Sequence, residues 1–174
     1  MRITDMKLRG KLAYRTLARL LAVCALAFIV WWLSSRPVLF RSRFMATAED
    51  RLCRDYAGEE VRSAVLNPFR SRSPERVADA FLRAVSNARC LPGWNERTCT
   101  YVIQHPVPAQ SWRVADRYDS DEYVMLIYWL NVRTPGKREV RGCWPFSVQL
   151  HRTGVTWRVS SFGLGSIRAA KVIE

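Results

Sequence analysis

A chain of 174 residues with 28 lysines and arginines against 15 aspartates and glutamates carries a formal net charge of +13. Residues 36–174 are enough for one compact domain with its own core, which excludes two. The basic residues are mostly arginine and scattered, with local density only around Arg70 and Arg72. That layout excludes the usual stripe of a specific nucleic-acid surface and leaves a solvated basic face suited to anionic lipid headgroups.

The first element is the stretch Leu20 to Leu33, LLAVCALAFIVWWL, fourteen residues without a charge, extended to sixteen by Ser34 and Ser35. A bilayer core of roughly 30 Å needs about 20 helical residues at about 1.5 Å each, so sixteen are marginal alone. Arg19 lengthens the span by snorkelling its guanidinium to the headgroups, which brings in Thr16, Leu17 and Ala18. Trp31 and Trp32 suit the opposite interface. These residues predict a cytoplasmic basic tail over 1–15, a transmembrane helix over 16–35 and an extracytoplasmic domain over 36–174. Arg2, Lys7, Arg9, Lys11, Arg15 and Arg19 against Asp5 alone place the N-terminus inside by the positive-inside rule. A buried core helix would rarely be apolar all round beside such a leader. A cleaved signal peptide is the other alternative, and Ala46-Thr47-Ala48 supplies a small-x-small triplet. Ser34 to Met45, with three arginines, separate that triplet from the apolar core, which favours an uncleaved anchor.

Arg36-Pro37 ends the membrane helix. Residues 44–66 read as a helix, with Met45, Ala48, Leu52 and Tyr56 on one stripe, a break at Gly58, and Val61, Ala64 and Val65 resuming the face. Asn67-Pro68 closes it. Ser73 as N-cap, Pro74 at the first helical position and Glu75 in the first turn open a second helix running to about Ala88. Its core face is Val77, Ala80, Phe81, Ala84, Val85 and Ala88, with Asp79 and Arg83 outside. From Cys99 onward the pattern predicts strands: Thr98 to Gln104, then Trp112, Val114 and Tyr118. Tyr123 to Leu130, YVMLIYWL, reads as a central strand buried on both faces. Trp144, Phe146, Val148 and Leu150 alternate in a half-buried strand whose Pro145 demands a bulge or an edge. After a turn at Thr153-Gly154, Val155, Trp157 and Val159 alternate in a last strand, and the tail from Ser166 has no clear period.

Cys24 lies in the apolar span, whereas Cys53, Cys90, Cys99 and Cys143 all fall in the outer domain. Outside the cytoplasm an even set reads as two disulfides. Cys90 and Cys99 bracket a loop with Pro92-Gly93 and are expected to pair, leaving Cys53 with Cys143. A zinc site would show a Cys-x-x-Cys pair, and the chain has none.

No catalytic motif or cofactor site is legible. His105 and His151 have no ligand at metal spacing, and Asp116, Asp119, Asp121 and Glu122 lack a calcium loop's turn glycine and closing glutamate, reading instead as a solvated turn. Gly163-Leu164-Gly165 opens no helix and has incomplete phosphate-loop spacing. Trp112, Val114, Tyr128, Trp144 and Trp157 form a candidate apolar pocket, with Asp116 or His151 as its polar group, unless these aromatics simply fill the sheet.

Helices followed by an antiparallel meander predict an α+β domain, with an N-terminal transmembrane helix and then helices packed on a curved antiparallel sheet. This order, with a last strand of the form Val155-x-Trp157-x-Val159, resembles the nuclear-transport-factor-2-like (cystatin-like) cone fold. A single anchor before such a domain resembles the bitopic inner-membrane scaffold subunit of type IV secretion and conjugation machines. The resemblance spans roughly residues 12–162. It implies a non-enzymatic assembly component in the bacterial inner membrane, with its domain in the periplasm, that self-associates, contacts other envelope proteins and binds no specific nucleic acid. The alternative is a membrane-tethered ligand-binding or hydrolytic cone domain; an envelope immunity or exclusion protein fits the same features.

Overall fold

The computed structural model describes residues 3–43, 62–134, 139–164 and 169–173. It divides into two compact units, 1–36 and 37–174.

The first unit is a single helix, α1, Ile3–Ser35, which carries the basic leader and the apolar stretch on one continuous rod. Its segment Arg15–Ser35, 21 residues, is long and apolar enough to cross a membrane, and none of its apolar window is buried against the rest of the chain. At about 1.5 Å per residue that segment reaches about 32 Å, the thickness the sixteen uncharged residues alone do not span. The C-terminal turn is finished locally. The Ser34 and Ser35 hydroxyls donate to the Trp31 and Trp32 carbonyls at 2.9 and 2.8 Å. The Arg36 guanidinium sits 4.2 Å from the Trp32 ring centroid, a cation–π contact at the expected interface.

The second unit contains β1 (Val38–Arg43), β2 (Arg62–Leu66), α2 (Ser73–Ser86), α3 (Glu96–Gln104), β3 (Ala109–Asp119), β4 (Tyr123–Thr134), β5 (Glu139–Thr153), β6 (Thr156–Leu164) and β7 (Ala169–Ile173). The main sheet is antiparallel, in the order β3-β4-β5-β6, with β7 also pairing β5. The expected α+β class holds.

Three assignments change. Residues 62–66 form β2, antiparallel to β1, where the apolar spacing predicts helix; the 44–61 part of that expected helix lies outside the described residues. Pairing with β1 satisfies the backbone groups of residues 62–66 instead. Residues 96–104 form a helix, not a strand. Asn95 Oδ1 accepts the Thr98 N–H at 2.7 Å, and Val102 is the face that is buried. The cap outweighs the β-branched content of Thr98, Thr100, Val102 and Ile103. In α2 the helix opens at Ser73 itself, with Arg72 as the cap residue and no side-chain cap bond.

The strands bury one face. In β4, Val124, Leu126, Tyr128 and Leu130 are buried, whereas Tyr123, Met125, Ile127 and Trp129 are half-buried, so the strand is not enclosed on both sides as expected. Phe146, Val148 and Leu150 of β5 join them, and Phe81 of α2 lies 4.9 Å from Phe162 and 6.4 Å from Phe146, centroid to centroid. Pro145 faces Trp129 on the β4 side. On the other side β6 pairs from Phe146 onward and β7 pairs up to Cys143, so the missing proline N–H falls in the gap between them. Val155 is not part of the final strand's inner face: it occupies the Gly154-Val155 turn and is 93% exposed. Gly154 adopts φ 62°, the left-handed value wanted at the first position of a tight two-residue hairpin turn.

Candidate functional site

Two bulges decide which side chains point where. In β3 the register shifts between Val114 and Asp116. The inward series Trp112, Val114 therefore continues as Arg117 and Asp119, and Asp116 turns to the other face. Arg117 becomes a buried guanidinium, its side chain 3% exposed. It donates Nε to Asp119 Oδ1 at 2.7 Å, Nη1 to the Ser71 carbonyl at 3.1 Å, and Nη1 to Glu75 Oε1. Arg70 pairs with the second oxygen of Asp119. Asp79, expected on an outer helix face, accepts the Trp112 indole N–H at 2.9 Å. This cluster fastens the first turns of α2 to β3. On the opposite face Asp116 pairs with Arg41 of β1 and accepts the Tyr118 hydroxyl at 3.1 Å. That bond and the Asp116 charge push the Tyr118 phenol above its ordinary value of 10.0. The acidic group read as a solvated turn is thus divided: Asp121 and Glu122 are exposed, whereas Asp116 and Asp119 hold arginines.

In β6 the register shifts opposite Gln149 and Leu150, leaving Ser160 as the extra residue. The Ser160 hydroxyl donates to the Gln149 carbonyl at 3.1 Å, and the Ser161 hydroxyl to Gln149 Oε1 at 3.0 Å. The shift lets Trp157, Val159 and Phe162 share one face although their spacing is two and then three. Beside them runs a groove of about 460 Å³. Its walls are Val77 and Phe81 of α2, the loop Leu91 to Asn95, and β6 from Thr156 to Ser160 with Phe162. The loop wall is stapled by the Cys90–Cys99 disulfide, Cα to Cα 5.1 Å, the pair expected from the sequence. Trp94 packs against Phe81 in a tilted arrangement, ring centroids 5.2 Å apart. Among the described residues, Arg158 is the one charged residue that lines the groove.

The aromatic set expected to form a pocket is dispersed. Trp157 lines the groove; Trp112, Val114 and Trp144 are half-buried against the core, and Tyr128 is fully buried within it. The arrangement follows from the alternation of β3, β4 and β5, whose inward residues fill the interior. His151, offered as a polar group, lies by Gln149 Nε2 at 3.3 Å and the Tyr123 ring at 5.8 Å. Among the described residues, Tyr128 Oη, Trp144 Nε1 and Glu75 Oε2 are buried without a hydrogen-bond partner. Burial, reinforced by Asp79 and Glu75, pushes the Tyr128 phenol well above its ordinary value. Cys143 is disulfide-bonded; its expected partner Cys53 lies outside the described residues. On α1, Trp31 and Trp32 are exposed at the C-terminal end and Arg19 near the start of the apolar segment, as a membrane-crossing helix requires. No group of three or more histidines, cysteines or carboxylates able to hold a metal occurs among the described residues.

The groove is hard to read from sequence because its loop wall contains no periodic signal, and Thr98, which lines it from α3, lies where the residue pattern predicts a strand. The β6 half was visible in Trp157 and Val159. Comparison of the chain with protein-family models, with curated proteins and with solved structures returned no significant match.

Proposed function

We propose that this protein is a single-pass, membrane-anchored assembly component of a bacterial envelope secretion machine, acting by protein–protein contact rather than by turnover. The observation that carries the reading is the groove: a channel of mixed apolar and polar lining laid along strand β6, in a unit that follows a helix suited to crossing the membrane. An exposed channel beside a sheet edge is a common form of polypeptide-binding surface. The Cys90–Cys99 staple suits an oxidising compartment, and the basic leader suits a cytoplasmic N-terminus; together they support a periplasmic position for residues 36–174. The order of helices and antiparallel strands supports the cone-fold resemblance, with helices covering a curved sheet, and with it self-association and contact with other envelope proteins.

A membrane-tethered ligand-binding domain is the second reading, favoured by a groove volume of about 460 Å³, within the range of small-molecule sites. Photo-cross-linkers placed at exposed positions of the domain in intact membranes separate the two. The assembly reading expects discrete adducts with other envelope proteins. Absence of adducts, with a small molecule retained by the purified chain and lost on filling the groove by Val159→Trp, would contradict it.

A further inference from the structure

The wall of the groove formed by β6 is a sheet edge. β6 closes the order β3-β4-β5-β6, and β7 pairs with β5 rather than with it, so among the described residues β6 has a strand on one side alone. Thr156, Arg158 and Ser160 are exposed and alternate with half-buried Trp157 and Val159. An unpaired edge of this kind offers backbone donors and acceptors at strand spacing, and the neighbouring groove offers apolar seats at every second residue.

We infer that the groove receives an extended acidic segment of another protein, added as a strand to β6, with apolar side chains seated against Trp94, Phe81 and Val159. The inference rests on the protein-binding reading above and names the partner's chemistry. Charge complementarity selects the occupant. Arg158 lines the groove, no carboxylate among the described residues does, and Arg97 stands next to its lining residue Thr98. A second copy of this chain fits less well, since it brings another Arg158 to the same edge. An acidic strand brings carboxylates to Arg158 and satisfies the edge backbone at once.

The test uses the full chain in phosphatidylcholine nanodiscs and a short fluorescent peptide in which glutamate alternates with valine. Two comparison peptides carry lysine in place of glutamate, or N-methyl groups on alternate backbone amides. Saturable binding is expected, weakened at least about tenfold by N-methylation, by lysine and by Arg158→Glu, a change of about 1.4 kcal/mol or more. Arg158 is exposed, so its variant should keep the near-ultraviolet circular dichroism of the parent. No binding, or binding indifferent to N-methylation or to peptide charge, would overturn the inference. So would disulfide formation between two Ser160→Cys chains in membranes, which assigns the edge to a second copy. If envelope companions co-purify equally with the parent and with Arg158→Glu, this inference falls and the assembly reading stands. If none co-purify with the parent, both fall.

Discussion

Removing Arg117 tests the account of how the domain is held together. Its guanidinium is 3% exposed and bonds Glu75, Asp119 and the Ser71 carbonyl; the two carboxylates are themselves only 12% and 13% exposed. In Arg117→Met, Asp119 retains Arg70, but Glu75 keeps a buried negative charge whose Oε2 has no partner among the described residues. Leaving one member of a buried pair uncompensated costs about 3–5 kcal/mol. For a unit of this size that lowers the midpoint of thermal unfolding by about 10–20 °C. Adding Glu75→Leu removes the orphaned charge and should restore most of the loss, since a buried pair replaced by apolar groups is often neutral. Circular dichroism of the tryptophans in detergent, followed through heating and through urea, reads all three proteins. A loss below about 1 kcal/mol in Arg117→Met, or a double variant as weak as the single, would refute the reasoning.

Cys90→Ser with Cys99→Ser releases a loop closed across a sequence separation of 9, worth about 2.6 kcal/mol by chain entropy. Urea unfolding should show that loss, and the glutamate–valine peptide should bind more weakly because the groove loses a fixed wall. Phe81→Ala empties a site shared with Trp94, Phe146 and Phe162 and should cost about 3–5 kcal/mol in the same assay. Tyr128→Phe deletes a buried hydroxyl that has no partner among the described residues and should leave stability unchanged or raise it by about 1 kcal/mol; a loss of that size would mean the hydroxyl is satisfied. The raised Tyr128 phenol also fixes a sign. Above the ordinary value of 10.0 the unfolded chain releases a proton that the folded chain retains, so stability falls as the pH rises, and Tyr128→Phe should flatten that slope.

The membrane-suited helix and the strands β4 to β6 were legible because each depends on a local, repeated pattern: an uncharged run for α1, and alternation for Trp144 to Leu150 and for Trp157 and Val159. The Cys90–Cys99 pair was legible from its turn. What escaped depends on partners distant in sequence. Residues 62–66 become a strand only because Val38–Arg43 lies alongside, and Arg117 turns inward only because a bulge at Val114/Asp116 shifts the phase. The Asn95 cap was written in the sequence, but the β-branched residues behind it masked the signal. Where Trp112, Val114, Tyr128, Trp144 and Trp157 stand has the same cause: composition names aromatics, and register decides which of them meet, so Trp157 lines the groove while the others pack against or within the core.

The mass and composition of the native particle test the central claim most directly. The membrane is solubilised gently, the chain is captured by a C-terminal tag, and the particle is weighed by native mass spectrometry with its components identified. An assembly component predicts a large, stable particle containing other envelope proteins. A single chain, alone and holding a small molecule, would contradict the account and hand the groove to a ligand.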